Sequence, residues 1–385
     1  MEPVRRQPLS RRRALTLLGS AATAATAVAA TSCASHTSDA QPSGATPPDA
    51  YELSGDVDGY STTLILLGTA AGPIAVPGRS GTSSVLVVGD RPYLIDAGPW
   101  SSRKLIQAGI SADSLGGVFV THMHSDHIAD LVNVFWLVGG TPSYTARGVV
   151  PVYGPGSAGA LPTPRAGKII PIRNPLTPAP GLSRLFTGVL DAYAYDTNIR
   201  NAEKGAGTDY NRMLSLHDVL PPESSGASAE NTAPEMEPFP VFEDDRVRVT
   251  ATLVPHGPVY PSLAYRFDTE DGAVTFSGDT AKSSNVVRLA QGSDILVHEV
   301  IDVDFYAETS GPALVEHMIH AHTTAQDVGR VATDAGVRQV VLSHIGPGDP
   351  QQVTDDQWER GVKSTFAGVV TVGHDLVRIG VGQRR

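Results

Sequence analysis

The letters THMHSDH at residues 121–127 directly follow GVFV at residues 117–120, an apolar run typical of a buried strand. In an extended segment, residues two apart point the same way, so His122 and His124 can bind one cation. Where the chain then turns into an apolar helical stretch, Asp126 and His127 can face a second cation. Imidazole and carboxylate ligands suit Zn²⁺, although Mn²⁺ or Fe would accept the same set. These seven residues therefore predict a metal site at the end of a strand.

Two cations need more ligands than these four, and three further candidates lie at the ends of predicted strands. His256 follows LVP at 253–255, Asp279 follows SG at 277–278, and His344 follows VVLS at 340–343. Taken singly, the three have simpler interpretations as a turn residue, a helix cap and a core histidine. Their order behind the first motif favours a shared metal site instead.

The remaining chain shows short runs that predict both strands and helices. Strands are expected at 64–67, 84–88, 92–95, 117–120, 247–254, 262–267, 273–276, 295–297 and 340–342, and helices at 104–110, 128–138, 182–200 and 324–335. Strands in both halves with helices between them suit two sheets packed face to face under helices. Residues from about 155 to 245 are rich in Pro and Gly around one predicted helix, and we interpret them as a cap-like insertion.

These segments together resemble the metallo-β-lactamase superfamily, specifically its ribonuclease Z and arylsulfatase-like branch. The resemblance runs from about Thr63 to His344 and includes LGTAAG at 67–72, IDAG at 95–98, VHE at 297–299 and HTT at 322–324. It implies an α/β (α+β) fold, the αββα sandwich. In that family the aspartate corresponding to Asp96 braces the histidine loop.

The resemblance also implies two metal sites that share one carboxylate, with two Zn²⁺ as the expected cofactors. The first set is His122, His124, His256 and Asp279, and the second is Asp126, His127, Asp279 and His344.

Two such cations, about 3.5–4 Å apart, can share a hydroxide because metal binding lowers the pKa of water towards ~7. We expect this bridging hydroxide to be the nucleophile, while a positioned acid protonates the departing oxygen. The resemblance places His322 beside the site as that acid, with Glu299 orienting and charging it. The expected catalytic residues are Asp126, which is also a ligand, His322 and Glu299.

The function expected from these residues is a metal-dependent hydrolase of phosphodiesters or sulfate esters, with a small-molecule ester as substrate. Other activities on the same fold stay open: lactone or thiolester hydrolysis, and ribonuclease Z-type endoribonuclease activity. Two other classes are a diiron redox protein and an inactive ligand-binding lipoprotein.

Charge argues against a nucleic-acid partner, because 29 Lys and Arg stand against 40 Asp and Glu, a net charge of −11. Bacterial ribonuclease Z proteins also carry a tRNA-gripping arm where only residues 267–277 lie here. We therefore expect no nucleic acid as partner. The resemblance leaves a homodimer open.

The N-terminal residues predict an export signal. Residues 1–33 are basic up to Arg13 and then uncharged and Ala-rich, as in a signal peptide, and SRRRAL at 10–15 resembles a twin-arginine signal. The only cysteine, Cys33, ends a segment that resembles a lipoprotein cleavage box, so the expected membrane contact is a lipid anchor there. Residues 34–50 predict a disordered spacer before a domain at 51–385. The expected location is the periplasm or surface of a bacterium.

Overall fold

Two sheets carry the fold in the computed structural model, which describes residues 53–139, 148–163, 171–204 and 213–385. The first sheet contains β1 (Thr62–Gly68), β2 (Ser83–Val88), β3 (Arg91–Ile95), β4 (Gly117–Phe119), β5 (Val150–Pro155), β6 (Leu214–Val219) and β14 (Arg378–Val381). The second contains β7 (Phe239–Glu243), β8 (Val247–Leu253), β9 (Leu263–Thr269), β10 (Ala273–Phe276), β11 (Ile295–Ile301), β12 (Gln339–Gly346) and β13 (Val369–Val372). The predicted signal, spacer and Cys33 anchor lie outside the described residues.

The two sheets share one plan. Their strand orders are β14-β1-β2-β3-β4-β5-β6 and β13-β12-β11-β10-β9-β8-β7. In each sheet one half is antiparallel, and the other half, β3 to β6 or β10 to β13, is parallel. Because parallel strands end at the same edge of a sheet, the loops after β3, β4, β10 and β12 are brought to one region.

The structure also contains helices, several of which cover the outer faces of the two sheets. They are α1 (Ser101–Gln107), α2 (Ser125–Ile128), α3 (Leu131–Gly139), α4 (Leu182–Ala192), α5 (Ala194–Lys204), α6 (Ser284–Leu289), α7 (Val303–Thr309), α8 (Pro312–Ala321), α9 (Ala325–Ala335) and α10 (Asp355–Lys363). Among the described residues, no helix combines the length and the apolar character needed to cross a bilayer.

The alternation of side chains along each strand builds the layers. In β1, Leu64 and Leu66 pack into the core between the sheets, whereas Ile65 and Leu67 pack beneath the helices on the other face. Phe119 crosses the sandwich: its ring lies 5.0 Å from that of Phe267 in the opposite sheet. This arrangement confirms the predicted αββα sandwich.

Two helix predictions need correction. The helix expected at 128–138 begins at Leu131 instead, after a separate short helix, α2, ends at Ile128; between them, the carboxylate of Asp130 accepts hydrogen bonds from the backbone N of Ser102 (2.6 Å) and from Asn133 Nδ2 (2.8 Å). The helix expected at 182–200 is divided into α4 and α5 at Tyr193, whose ring packs against Trp136 at 4.7 Å.

Two strands within residues 155–245, the interval interpreted as an insertion, were not predicted from the sequence. β6 and β7 are the outermost strands of their sheets, so residues 155–245 contribute an edge to each sheet. Their sequences, LSLHDV and FPVFE, carry too little continuous apolar character to stand out, because an edge strand has one side open to solvent. The prediction that this interval also serves as a cap stays a prediction.

Candidate metal centre

The seven predicted ligands come together at the edge where the parallel strands end. The loop after β4 carries His122 and His124, α2 carries Asp126 and His127, and the other three follow β8, follow β10 or lie within β12. Two groups of side chains, with ligand atoms within 4.8 Å of one another, reproduce the two expected sets: His122, His124, His256 and Asp279; and Asp126, His127, Asp279 and His344.

Asp279 lies between the two groups and belongs to both. Its Oδ2 is 3.7 Å from His122 Nε2 and 3.7 Å from His256 Nε2 on one side. On the other side, His127 Nε2 lies 3.2 Å from Oδ1, and His344 Nε2 lies 3.1 Å from Oδ2. Donor atoms in a tetrahedral Zn²⁺ site stand about 3.4 Å apart, since each bond is about 2.0–2.2 Å long. The spacing around Asp279 therefore fits two cations that share its carboxylate.

Unpartnered atoms support this fit. His122 Nε2, His127 Nε2 and Asp279 Oδ1 are fully buried, yet none makes a hydrogen bond. Buried polar atoms in native proteins almost always have a partner, because desolvation without one is costly. The histidine nitrogens lie close to the Asp279 oxygens without forming hydrogen bonds to them. This is the arrangement expected of atoms that bind a common metal ion. The donor set thus fits Zn²⁺, or another cation that accepts imidazole and carboxylate.

Burial and neighbouring charges hold several ligands in the protonation state that binds metal. Burial lowers the pKa of His122 well below its ordinary value and that of His256 to about 3, so both imidazoles are neutral. Burial alone would raise the pKa of Asp279, but the surrounding imidazoles, above all His127, hold it well below its ordinary value. Neutral imidazole and ionised carboxylate are the states that bind metal.

Asp96 orients the second group, as the resemblance implies. Its Oδ2 lies 2.8 Å from His127 Nδ1, while its Oδ1 accepts the backbone N–H of Thr121 at 2.7 Å. The carboxylate thereby accepts the Nδ1 proton and leaves Nε2 of His127 to face the metal position. Asp96 and His344 both have positive φ values, 55° and 49°, which are uncommon for residues other than glycine. Such backbone strain concentrates at functional sites.

His256 is oriented from the backbone. Its Nδ1 lies 2.9 Å from the carbonyl oxygen of Ala321, the last residue of α8. The Nε2 atom, 3.2 Å from His124 Nδ1, faces the first group. This contact could not be recognised from the sequence, because it joins two residues 65 positions apart through a main-chain atom.

His322 and Glu299 form a buried pair beside the centre. Nδ1 of His322 lies 3.0 Å from Glu299 Oε1, which also accepts the backbone N–H of Thr280 at 2.8 Å. Burial would lower the pKa of His322, but the charge of Glu299 and their hydrogen bond raise it to about 9. The His322 ring stacks on that of His344, with centroids 5.6 Å apart. Glu299, His322 and His344 could also hold a metal by distance, but the hydrogen bond to Glu299 already occupies Nδ1 of His322.

A cavity of about 280 Å³ opens onto this centre. Its floor includes His124, Asp126, Asp279 and His344. A second part of its lining, the far wall, comes from α7 and α8 and includes apolar side chains and His317. The sequence suggested no role for His317, because histidines three positions apart in α8 could not be told apart before their surroundings were known.

Known proteins match this chain in sequence and in fold. A family model described as the metallo-beta-lactamase superfamily matches residues 76–301. A ribonuclease Z of Mycobacterium bovis (strain BCG) is 27% identical over 326 residues, covering 84% of this chain and 99% of that protein. The crystal structure of human tRNase Z, short form, superposes with a TM-score of 0.57 at 18% identity, covering 83% of this chain and all of that one. A metallo-beta-lactamase fold protein from Bacillus subtilis gives 0.54 at 17% identity, covering 83% and 99%. These matches confirm the resemblance drawn from the sequence.

The same matches overturn one expectation. Net charge and the short segment at 267–277 led to the expectation that nucleic acid is not a partner. That exclusion is wrong, because relatives that align over nearly their whole length are ribonucleases. Net charge averages the whole surface, so it does not report what one cavity binds.

Proposed function

The chain belongs to the metallo-beta-lactamase superfamily of metal-dependent hydrolases, and on that premise we propose that it cleaves the phosphodiester bonds of RNA. The observation that carries the proposal is the buried His322–Glu299 pair beside two groups of metal ligands that share Asp279. A phosphodiester needs both parts of this arrangement, since its charged oxygens require neutralisation and its departing alkoxide requires a proton.

Two Zn²⁺ ions fit the seven ligands, and when bound they supply Lewis acidity toward phosphoryl oxygens and ionise a water molecule. Asp279 lies between the two ligand groups and belongs to both. Asp96 holds His127 in the tautomer that leaves Nε2 for the metal position. Asp126, with Oδ2 3.3 Å from His344 Nε2, completes the second group at the cavity floor.

His322 holds the proton for the leaving group. Because Nδ1 is engaged by Glu299, Nε2 is the atom that carries the transferable proton. The negative charge of Glu299 favours the imidazolium, so His322 is charged at neutral pH and can donate. Glu299 is itself held by the backbone N–H of Thr280, directly after Asp279, which fixes the acid relative to the bridging carboxylate.

The relatives named ribonuclease Z support RNA as the substrate class. The turn between β9 and β10 spans only residues 270–272, so RNA would be gripped by other surfaces than an arm at this turn.

A second candidate, hydrolysis of small aryl phosphodiesters or sulfate esters, is favoured by the apolar far wall of the cavity. Residues such as Tyr306, Leu314 and Met318 would contact an aryl group attached to the ester.

The test compares substrates on one zinc-loaded preparation of the purified chain. Single-stranded RNA, a tRNA precursor, bis-p-nitrophenyl phosphate and p-nitrophenyl sulfate are assayed side by side. Asp279→Ala serves as the blank: it removes the shared ligand, so bound zinc and hydrolysis should both fall to background, which also reports any contaminating ribonuclease. Cleavage of RNA by the parent chain alone supports the proposal. Turnover of sulfate ester without any RNA cleavage at full zinc occupancy would transfer support to the second candidate.

We also propose that residues 1–33 export the protein by the twin-arginine route and that Cys33 receives a lipid. The support is the basic stretch, the uncharged stretch after it and the position of Cys33. Replacing Arg11 and Arg12 by Lys should retain the protein in the cytoplasm, and Cys33→Ser should release it from membranes. Unchanged fractionation of both variants would refute the proposal.

A further inference from the structure

The far wall of the cavity contains side chains that the proposed chemistry does not use. Leu314, His317 and Met318 of α8 line it, joined by Tyr306 of α7. Positions 314, 317 and 318 follow the three- and four-residue spacing of one helix face, so their side chains project into the same space. The wall therefore has one polar group among three large apolar ones. Ligand sites commonly have this composition, with apolar side chains providing contact area and a few polar atoms fixing orientation.

His317 is the polar group of this wall. Its ring centroid lies 5.5 Å from that of His322 and 6.1 Å from that of His256. The side chain is half-buried, and within the described part of the chain no residue hydrogen-bonds to its imidazole. An imidazole carries a nitrogen at two positions of its ring, each able to take part in a hydrogen bond. His317 therefore has unused hydrogen-bonding capacity next to the predicted acid.

The apolar members frame the opening. Leu314 exposes 40% of its surface, although it stands beside a charged centre. Tyr306 reaches the end of β12, since a Cβ on Gly346 would come within 3.2 Å of its hydroxyl oxygen. Burial raises the pKa of Tyr306, so the phenol stays uncharged. Together these side chains form an apolar surface that lines the same cavity as the metal ligands.

We propose that Tyr306, Leu314 and Met318, with the imidazole of His317, bind a planar apolar group attached to the scissile phosphate. The assignment to the leaving-group side rests on the proposed function, because it follows from the position of His317 beside the proton donor. In RNA the planar group on this side of the phosphate is the nucleobase of the departing nucleoside. The wall would thus determine which esters the centre accepts.

Binding of two phosphonates tests the wall without requiring turnover. Phenylphosphonate and methylphosphonate present the same anionic group to the zinc-loaded protein. They differ in the substituent on phosphorus, which is a planar phenyl ring in the first and a methyl group in the second. By titration calorimetry, we expect the parent chain to bind phenylphosphonate at least about tenfold more tightly, as burial of an aromatic side chain would give. Met318→Ala and Leu314→Ala should bring the ratio of the two Kd values toward one, while zinc content stays unchanged.

The role of His317 is tested by separating KM from kcat on bis-p-nitrophenyl phosphate. His317→Ala should raise KM about three- to tenfold with kcat nearly unchanged, which is the effect of losing one neutral hydrogen bond. His317→Gln retains a donor and an acceptor and should recover part of the loss. His320→Ala is the matched control, because His320 is an exposed histidine on the same helix outside the cavity lining. It should leave KM and both Kd values unaltered.

The outcomes separate this inference from the proposed function. If the chain hydrolyses no phosphodiester but binds phenylphosphonate more tightly than methylphosphonate, and Met318→Ala removes this preference, the proposed function is refuted and the proposed role of the wall is supported. A chain that hydrolyses phosphodiesters but binds both phosphonates equally, or whose preference survives Met318→Ala and Leu314→Ala, would refute the wall.

Discussion

Glu299 Oε1 lies 3.0 Å from Nδ1 of His322, and the pair is buried beside the metal ligands. The hydrogen bond opposes the effect of burial on His322 and keeps its imidazole charged. The pair therefore couples the protonation of the predicted acid to a carboxylate that belongs to neither of the two ligand groups around Asp279.

Glu299→Gln should move the pH profile of hydrolysis. The pKa of His322 is raised to about 9, so its proton is present below that pH and is lost as pH rises through it. Removing the negative charge lowers this pKa, so the basic limb of the kcat profile should shift to lower pH. Gln can still accept the backbone N–H of Thr280, so folding and zinc content should hold. A basic limb at the parent position would show that Glu299 does not charge His322.

His322→Ala should keep both metals and slow reactions according to their leaving group. An acid matters most when the departing oxygen is a strong base, so alkyl esters should lose about 10²–10⁴-fold in kcat and nitrophenyl esters much less. The measurement is a comparison of esters that differ only in leaving-group pKa, together with zinc analysis. An equal loss across the series would remove the acid role from His322.

Asp96→Asn should weaken zinc binding at the second group. An amide nitrogen placed near His127 Nδ1 would donate to it, forcing the proton onto Nε2, the atom that faces the metal position. A loss of about 10–100-fold in zinc affinity is expected, as for other residues that orient metal-binding histidines. Competition with a zinc chelator measures it. Asp130→Asn is the control: its carboxylate holds Ser102 N and Asn133, so zinc affinity should stay at the parent value.

Phe119→Ala should destabilise the sandwich. The ring is fully buried, stacks on Tyr153 at 5.3 Å and meets Phe267 edge-on at 5.0 Å. Loss of this contact between the sheets should reduce the free energy of unfolding by about 3–5 kcal/mol in denaturant titrations of the zinc-loaded protein. Val369→Ala, at a site 59% exposed, should change it by less than about 0.5 kcal/mol. Similar values for both variants would contradict the assignment of Phe119 to the core.

The candidate ligands could be predicted because they stand at places that sequence patterns mark well. A strand of four apolar or small residues followed by histidines, as at 117–127, leaves few alternatives, and His256, Asp279 and His344 each follow such a run. The edge strands β6 and β7 could not be predicted in this way, since half of their surface faces solvent and their patterns are mixed. The exclusion of nucleic acid failed for a related reason, because total charge carries no spatial information.

The local order of residues, with the family resemblance that it carries, was sufficient to predict the αββα sandwich and the set of side chains able to hold metal, since strand alternation and strand ends are short-range properties. Only the tertiary structure decided which atom of each histidine faces the centre, that Glu299 charges His322, and that His317 lines the cavity while His320 faces solvent. The physical reason is that tautomers, pKa values and burial depend on neighbours in space, and those neighbours lie from three to more than two hundred positions away along the chain.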